Sequence, residues 1–216
     1  MVAPSTPYEA KGLLAASIRS DDPVIFLEPT RLYRSGRQEV PEGSFEVPLG
    51  KARIVREGED LTLVAWGAMV PACQAAAEAL EDGGLFPEVI DLRTLSPWDR
   101  GTVLGSVKRT GRLLIIHEAP KTCGLGAEIA AHVAEKALYE AVLEAADGGL
   151  LRSAHDCSDG GLAVALAECC FGGHGGEEPG LGAALDLPAG LRDEVLLFSE
   201  SPSRMIVSVA PTDVGN

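Results

Sequence analysis

The sequence predicts an α/β protein: a mostly parallel sheet flanked by helices, with a small α+β appendage towards its C-terminal end. Two observations carry this expectation. Between residues 61 and 147, short apolar runs alternate with helical stretches of roughly 10 to 15 residues, the pattern of βαβ units. After Gly148 glycine becomes dense and that rhythm fades. The chain has 216 residues, of which 46% are hydrophobic and 23% charged, enough for a packed core. Its net charge of −14 argues against a general nucleic-acid binder, which needs clustered Lys and Arg. No apolar run approaches the ~20 residues of a membrane span, and the start MVAPSTPYEA lacks the basic and apolar stretches of a secretory signal. Five cysteines without a C-x-x-C pair point to reduced thiols, and the expected compartment is cytoplasmic.

The elements follow in chain order. Thr6 can cap a helix with Pro7 at its first position and Glu9 in the capping-box place, and the helix should run to about Arg19. Asp21, Asp22 and Pro23 break it. Val24 to Glu28 reads as a buried strand, and residues 30–43 as a polar loop or linker. Leu61–Trp66, Glu88–Leu92 and Leu113–His117 read as strands. Pro71–Asp82 is an Ala-rich helix closed by Gly83 and Gly84. Ser96 should cap the next helix, with Pro97 first inside it, Lys108 and Arg109 in its last turn and Gly111 as its stop. Gly126–Asp147 should form one continuous helix with Ile129, Val133, Ala137, Ala141 and Ala145 on one face. Val142 and Leu143 should turn towards the appendage. There, Leu150–Ala154, Val195–Glu200 and Met205–Ala210 are expected as strands and Gly160–Phe171 as a helix.

The strongest chemical motif is HDCSDGGL from His155. Asp156 and Asp159 bring two carboxylates and Ser158 a hydroxyl into one turn, while Gly160 and Gly161 let backbone approach a ligand. Hard oxygen ligands beside a helix N-terminus suit Mg²⁺ and a nucleotide phosphate. The alternative is that Ser158 or Asp159 caps the helix. His117 and Glu118 end a strand, where open α/β sheets place their sites. They either line a cleft or fix the TCGLG loop that follows. Cys169 and Cys170 close an apolar helix and read as buried thiols, and His174 lies in a glycine loop.

Longer motifs resemble two families. VAPSTPYEAKGLL, DPVIFLEPTRLYR, VPLGKARIVREGEDLTLVAWGAMV, DLRTLSPWD and HEAPKTCGLGAEIAA, spread over residues 2–137, resemble the later half of the beta subunit of thiamine-diphosphate-dependent 2-oxo acid dehydrogenases. SAHDCSDGGLAVALAECC and LLFSESPSRMIVSVAP, within residues 139–211, resemble part of phosphoribosylformylglycinamidine synthase, a purine-biosynthesis enzyme. The two do not belong together, so the chain reads as a join near Ala137 to Glu140, whether engineered, rearranged or mis-assembled.

The first resemblance implies that residues 1–44 are a remnant of the pyrimidine-type cofactor domain and residues 45–147 a transketolase-type C-terminal domain. Residues 148–216 would be a partial synthetase-type lobe. The dehydrogenase family uses thiamine diphosphate and Mg²⁺, and its beta subunit meets an alpha subunit and a second beta subunit. The family's activating glutamate and diphosphate motif have no counterpart here, so no catalytic or thiamine-binding residue is assigned. Glu28 either substitutes or pairs with Arg31 or Arg34. The turn at Asp22 resembles a monovalent-cation loop of some members, or is an ordinary acidic turn. The second resemblance implies a Mg-ATP site to which Asp156 contributes a metal ligand. The expected function is thus a partial, inactive dehydrogenase beta subunit serving assembly. The alternatives are a fragment of the purine enzyme and a non-functional fusion product. No cofactor is expected to bind this chain strongly, and self-association is expected because a strand such as VIFLE would lack its neighbours.

Overall fold

Three apolar strands form the centre of the sheet because each is short, rich in β-branched or aliphatic residues and closed by a turn. They are β2 (Leu61–Ala65), β3 (Pro87–Asp91) and β4 (Leu113–Ile116). β2 pairs in parallel with β3 on one side and β4 on the other, so the alternation of strand and helix did indicate a parallel arrangement. A fourth strand, β1 (Arg53–Arg56), joins antiparallel to β3 and gives the order β1-β3-β2-β4. The sequence did not suggest β1. It is four residues long, and half of them are arginines, as suits an edge strand. In this computed structural model residues 1–120, 123–157, 161–170, 197, 204–210 and 212 are described.

The chain divides into two compact units, Met1–Ala130 and Ala131–Asn216. In the first, α1 (Pro7–Arg19), α2 (Met69–Glu81) and α3 (Arg100–Thr110) flank the sheet. Leu63, Ala65, Val70, Cys73, Ala77 and Val89 make a core between β2, β3 and α2, with Val55, Leu61, Met69 and Ile116 packed around it. Burial pushes the Cys73 thiol up to about 11, so it stays a neutral thiol. On the α3 side the Thr62 hydroxyl meets both Ser106 and Thr110 at 2.7 Å, which satisfies three buried polar groups together.

Helix ends partly differ from the sequence expectation. Thr6 caps α1 by accepting from the Glu9 N–H at 3.2 Å. The Glu9 side chain does not close the capping box at Thr6. It reaches the Ser5 N–H and hydroxyl instead, drawn towards two arginines. α3 begins at Arg100, with Asp99 as its cap, so Ser96 and Pro97 lie before the helix. Asp99 outcompetes Ser96 because its carboxylate also accepts from the Thr102 hydroxyl and the Ala52 N–H. Gly111 ends α3 at φ 65°, in the left-handed region.

Val24–Glu28 is not a strand. Phe26 makes one isolated parallel bridge to Val2, and Ile25 and Leu27 are exposed. A strand needs a ladder, and Val2 supplies only one rung: its N–H donates to Ile25 and its carbonyl accepts from Leu27.

α4 (Leu125–Asp147) is unbroken from end to end, as its Ala-, Leu- and Glu-rich sequence predicts. Its buried stripe is shorter than the periodicity suggested. Ile129 and Val133 are buried, whereas Ala137, Ala141 and Leu143 are exposed. Within the second unit, β5 (Leu151–Asp156) pairs antiparallel with β6 (Met205–Val209), and α5 (Gly161–Cys170) lies against both strands. Cys169, in the last turn of α5, is exposed, contrary to expectation: ending an apolar helix does not by itself bury a side chain. Of the expected strand at Val195–Glu200 only Leu197 is described, and it is helical, contrary to that expectation; His174 and the Cys170 side chain lie outside the described residues.

Gly58 sets a local limit. A Cβ there would lie 2.3 Å from the Pro87 carbonyl carbon and 2.4 Å from the Glu88 nitrogen, both backbone atoms that cannot swing aside. Gly58→Ala should therefore lower unfolding stability by about 1–3 kcal/mol. Gly36→Ala, where a Cβ meets nothing within 4 Å, should change it by under ~0.5 kcal/mol. Denaturant melts of the two variants check this.

Candidate functional site

The first unit contains an open groove of about 860 Å³ along α1 and the segment after Phe26. Lys11 and Leu14 line it from α1, and Phe26, Glu28, Tyr33 and Arg37 from the opposite side. Its walls are mainly proline, aliphatic and aromatic side chains with a few charged tips. Glu28 accepts a short hydrogen bond from the Tyr33 hydroxyl, which raises the Tyr33 pKa. Arg31, one of its two expected partners, instead faces Glu118 at 3.8 Å. Tyr33 wins because the turn at Thr30–Leu32 folds it back onto Glu28.

A buried polar cluster holds α1 to the sheet beside this groove. Glu9 is 0% exposed and Asp91 0% exposed. The Ser5 hydroxyl lies 2.8 Å from Glu9 Oε2 and 2.5 Å from Asp91 Oδ2. Glu9 Oε1 faces Arg53 Nε at 3.0 Å and Arg93 Nη1 at 4.0 Å. The Arg53 contact is an ion pair without hydrogen-bond alignment. Arg93 is fixed by donating to the Lys51 and Ala52 carbonyls, both at 3.0 Å, and its backbone has φ 54°. That left-handed conformation is strained for arginine and is held by these bonds and by its N–H on Asp91 Oδ1 at 3.1 Å. Burial and the Glu9 charge push the Asp91 carboxyl up to about 7, against the hydrogen bonds from Ser5 and Arg93.

His117, at the end of β4, stacks on Trp66 at the end of β2, with ring centroids 5.1 Å apart and planes 18° apart. Its Nδ1 accepts from the Ala119 N–H at 3.2 Å, so a neutral ring carries its proton on Nε2. The glycines that follow make room for this ring. A Cβ on Gly126 would lie 2.3 Å from His117 Nε2. His117 thus ties the strand end to the loop leading into α4, while Glu118 points to solvent and meets Arg31.

In the second unit His155 Nε2 faces Glu168 of α5 at 3.0 Å, and its Nδ1 lies 2.5 Å from the Asp156 carbonyl oxygen. Asp156 is the last residue of β5, with its side chain 61% exposed. Ser158 and Asp159 lie outside the described residues. Among the described residues no group of three or more His, Cys, Asp or Glu is placed to hold a metal ion.

The sequence had singled out Glu9 only as a capping residue. Ser5, Arg53, Asp91, Arg93, Trp66 and Glu168 carried no motif of their own. The available signal was a carboxylate ending an apolar strand at Asp91, and an arginine two residues later.

Comparison with known proteins gives two family matches, which overlap across residues 111–147. Residues 50–147 match the family model of the transketolase C-terminal domain, and residues 111–216 that of the C-terminal domain of AIR synthase related proteins. The pyruvate dehydrogenase E1 component subunit beta of Acholeplasma laidlawii is 51% identical over 146 residues, 68% of this chain and 44% of that protein. The mitochondrial 2-oxoisovalerate dehydrogenase subunit beta of Dictyostelium discoideum is 58% identical over 137 residues, 63% of this chain and 37% of that protein. A solved split-gene transketolase, described as an inactive beta4 tetramer, superposes with a TM-score of 0.53 at 28% identity, over 62% of this chain and 43% of its own. The first part of the chain is therefore similar to dehydrogenase beta subunits and shares the transketolase C-terminal fold, and residues 111–216 are similar to the C-terminal domain of AIR synthase related proteins. The chain spans less than half the length of these relatives. No helix among the described residues is long and apolar enough to cross a membrane.

The Trp66–His117 stack has an optical consequence. The imidazole covers one face of the indole, so His117→Ala should expose that face to solvent and shift the Trp66 emission to longer wavelength, read by fluorescence spectra of both proteins at one pH. Identical spectra would contradict the stacking.

Proposed function

We propose that the first unit acts as an assembly element of a 2-oxo acid dehydrogenase beta subunit, building subunit contacts and performing no catalysis by itself. The observation that supports this reading best is identity of 51% over 146 residues and 58% over 137 residues to two beta subunits, stretches that make up 44% and 37% of those proteins. Residues 1–44 are then the remnant of a cofactor domain, 45–147 the C-terminal domain and 148–216 a partial lobe of different ancestry. Partners in this reading are a dehydrogenase alpha subunit and a second beta subunit, the substrate class is pyruvate or a branched-chain 2-oxo acid, and the compartment is cytoplasmic. Leu14, Ile18, Ile25 and Leu27 are exposed on the first unit and favour self-association when partners are absent.

Thiamine diphosphate and Mg²⁺ belong to the family, but the described residues of this chain do not fit them. Glu28, the groove carboxylate, is held by Tyr33 on an exposed segment and does not face a closed pocket for an aminopyrimidine ring.

A second reading is favoured by the match of residues 111–216 to the AIR synthase related domain. In it, Asp156 is a Mg²⁺ ligand beside a nucleotide phosphate, and His155, Ser158 and Asp159 are further candidates in the same motif. The His155–Glu168 pair ties β5 to α5. A chain carrying only parts of both proteins, without activity, is the third reading.

Turnover and size distinguish these. The isolated chain should not consume pyruvate or a branched-chain 2-oxo acid above the buffer blank, even with thiamine diphosphate and Mg²⁺ added. Light scattering at concentrations on the order of tens of micromolar should give a mass above the 22.5 kDa of one chain. Turnover without an added alpha subunit, or a clean monomer, would overturn the assembly reading. Mg²⁺-dependent ATP binding lost in Asp156→Asn would favour the second.

A further inference from the structure

Ser5 has one hydroxyl proton and stands between two carboxyl groups. Its Oγ is 2.8 Å from Glu9 Oε2 and 2.5 Å from Asp91 Oδ2. It can donate to only one of them. The other contact is attractive only if that carboxyl is itself protonated and donates to the Ser5 lone pair. Glu9 Oε2 also receives the Ser5 backbone N–H at 3.4 Å, and Glu9 Oε1 faces Arg53 and Arg93. Neither guanidinium forms an ion pair with Asp91, whose Oδ1 receives only the Arg93 backbone N–H. Glu9 is therefore the charged partner and Asp91 the protonated one.

We propose that Asp91, Ser5 and Glu9 form a shared-proton clasp that fastens the amino-terminal segment and α1 to the sheet, and that losing the Asp91 proton loosens it. The proton chain runs from Asp91 Oδ2–H to Ser5 Oγ, and from Ser5 Oγ–H to Glu9 Oε2. The charged groups facing Asp91 are Glu9 from α1, Arg53 opposite it on β1 and Arg93 from the turn after β3. β2 presents Ala65 beside it, which does not titrate. When Asp91 ionises, both carboxylates are charged and Ser5 can serve only one. The clasp then contains a repulsive contact between two buried groups. Thr6, Ala10, Lys11 and Leu14, on the segment the clasp holds, form one wall of the groove, so the groove's shape depends on it.

The direction with pH follows from Asp91. Its folded value of about 7 lies above the ~3.9 of an open carboxyl, so the clasp's contribution is fully present below ~3.9 and is lost as pH rises towards 7. Opening of α1 should grow about tenfold per pH unit in that window, or roughly 50-fold from pH 5 to pH 7, and level off above it. Hydrogen exchange of the α1 amides, divided by the intrinsic exchange rate at each pH, reads this directly. Asp91→Asn keeps a donor for Ser5 and cannot ionise, so its α1 opening should stay low and flat from pH 5 to 8. Wild-type opening that is flat, or an Asp91→Asn profile as steep as wild type, overturns the clasp. Should that variant fail to fold, infrared spectra of the wild-type chain still decide. A protonated carboxylic acid band present at pH 6 and gone by pH 8.5 is expected, and its absence at pH 6 overturns the proposal.

Discussion

A buried carboxylate needs either a nearby positive charge or a proton, and the pair at Glu9 and Asp91 uses both. Two arginines serve Glu9, and one serine links it to Asp91. The rest of the first unit depends on this arrangement. It joins α1 to β1 and β3 across more than eighty residues of chain. It forces Arg93 into a left-handed backbone, which in turn aims the following residues so that Ala3 donates to the Arg93 carbonyl and Leu95 to the Met1 carbonyl. Val2 is buried between Phe26 and Thr94 as a consequence. Polar groups in such a site specify one geometry because every misplacement leaves a charge unpaired.

Around that anchor the apolar surface is unevenly covered. β3 is buried along its whole length between β1 and β2, and α2 closes one face of the sheet. By contrast Ile18 is 74% and Ile25 60% exposed, so apolar surface on α1 and on Val24–Glu28 is left open.

The two family matches overlap across residues 111–147, which include β4 and α4. That overlap is physically undemanding. A helix of Ala, Leu, Glu and Lys satisfies its own backbone and tolerates many sequences on its exposed face, so it accommodates either ancestry. Sites are less forgiving. His117 depends on Trp66 from another strand and on two glycines downstream. His155 depends on Glu168 from the following helix.

Local order was legible in the sequence. Strand runs at Leu61, Glu88 and Leu113, the Thr6 cap, the Gly111 stop and the unbroken α4 all follow from propensity, capping and periodicity, which act between residues a few positions apart. The long motifs also identified both ancestries. Tertiary structure alone decided the rest. β1 is a strand only because β3 offers it an edge, and Val24–Glu28 is not one because no neighbour does. Asp99 caps α3 in place of Ser96 because Ala52 also donates to it. Glu9 looked like half of a capping box and became half of a buried acid pair, since Arg53, Arg93 and Asp91 reach it from distant positions in the chain. Propensity is a property of neighbours in sequence, whereas the charge state of a buried carboxyl is set by neighbours in space.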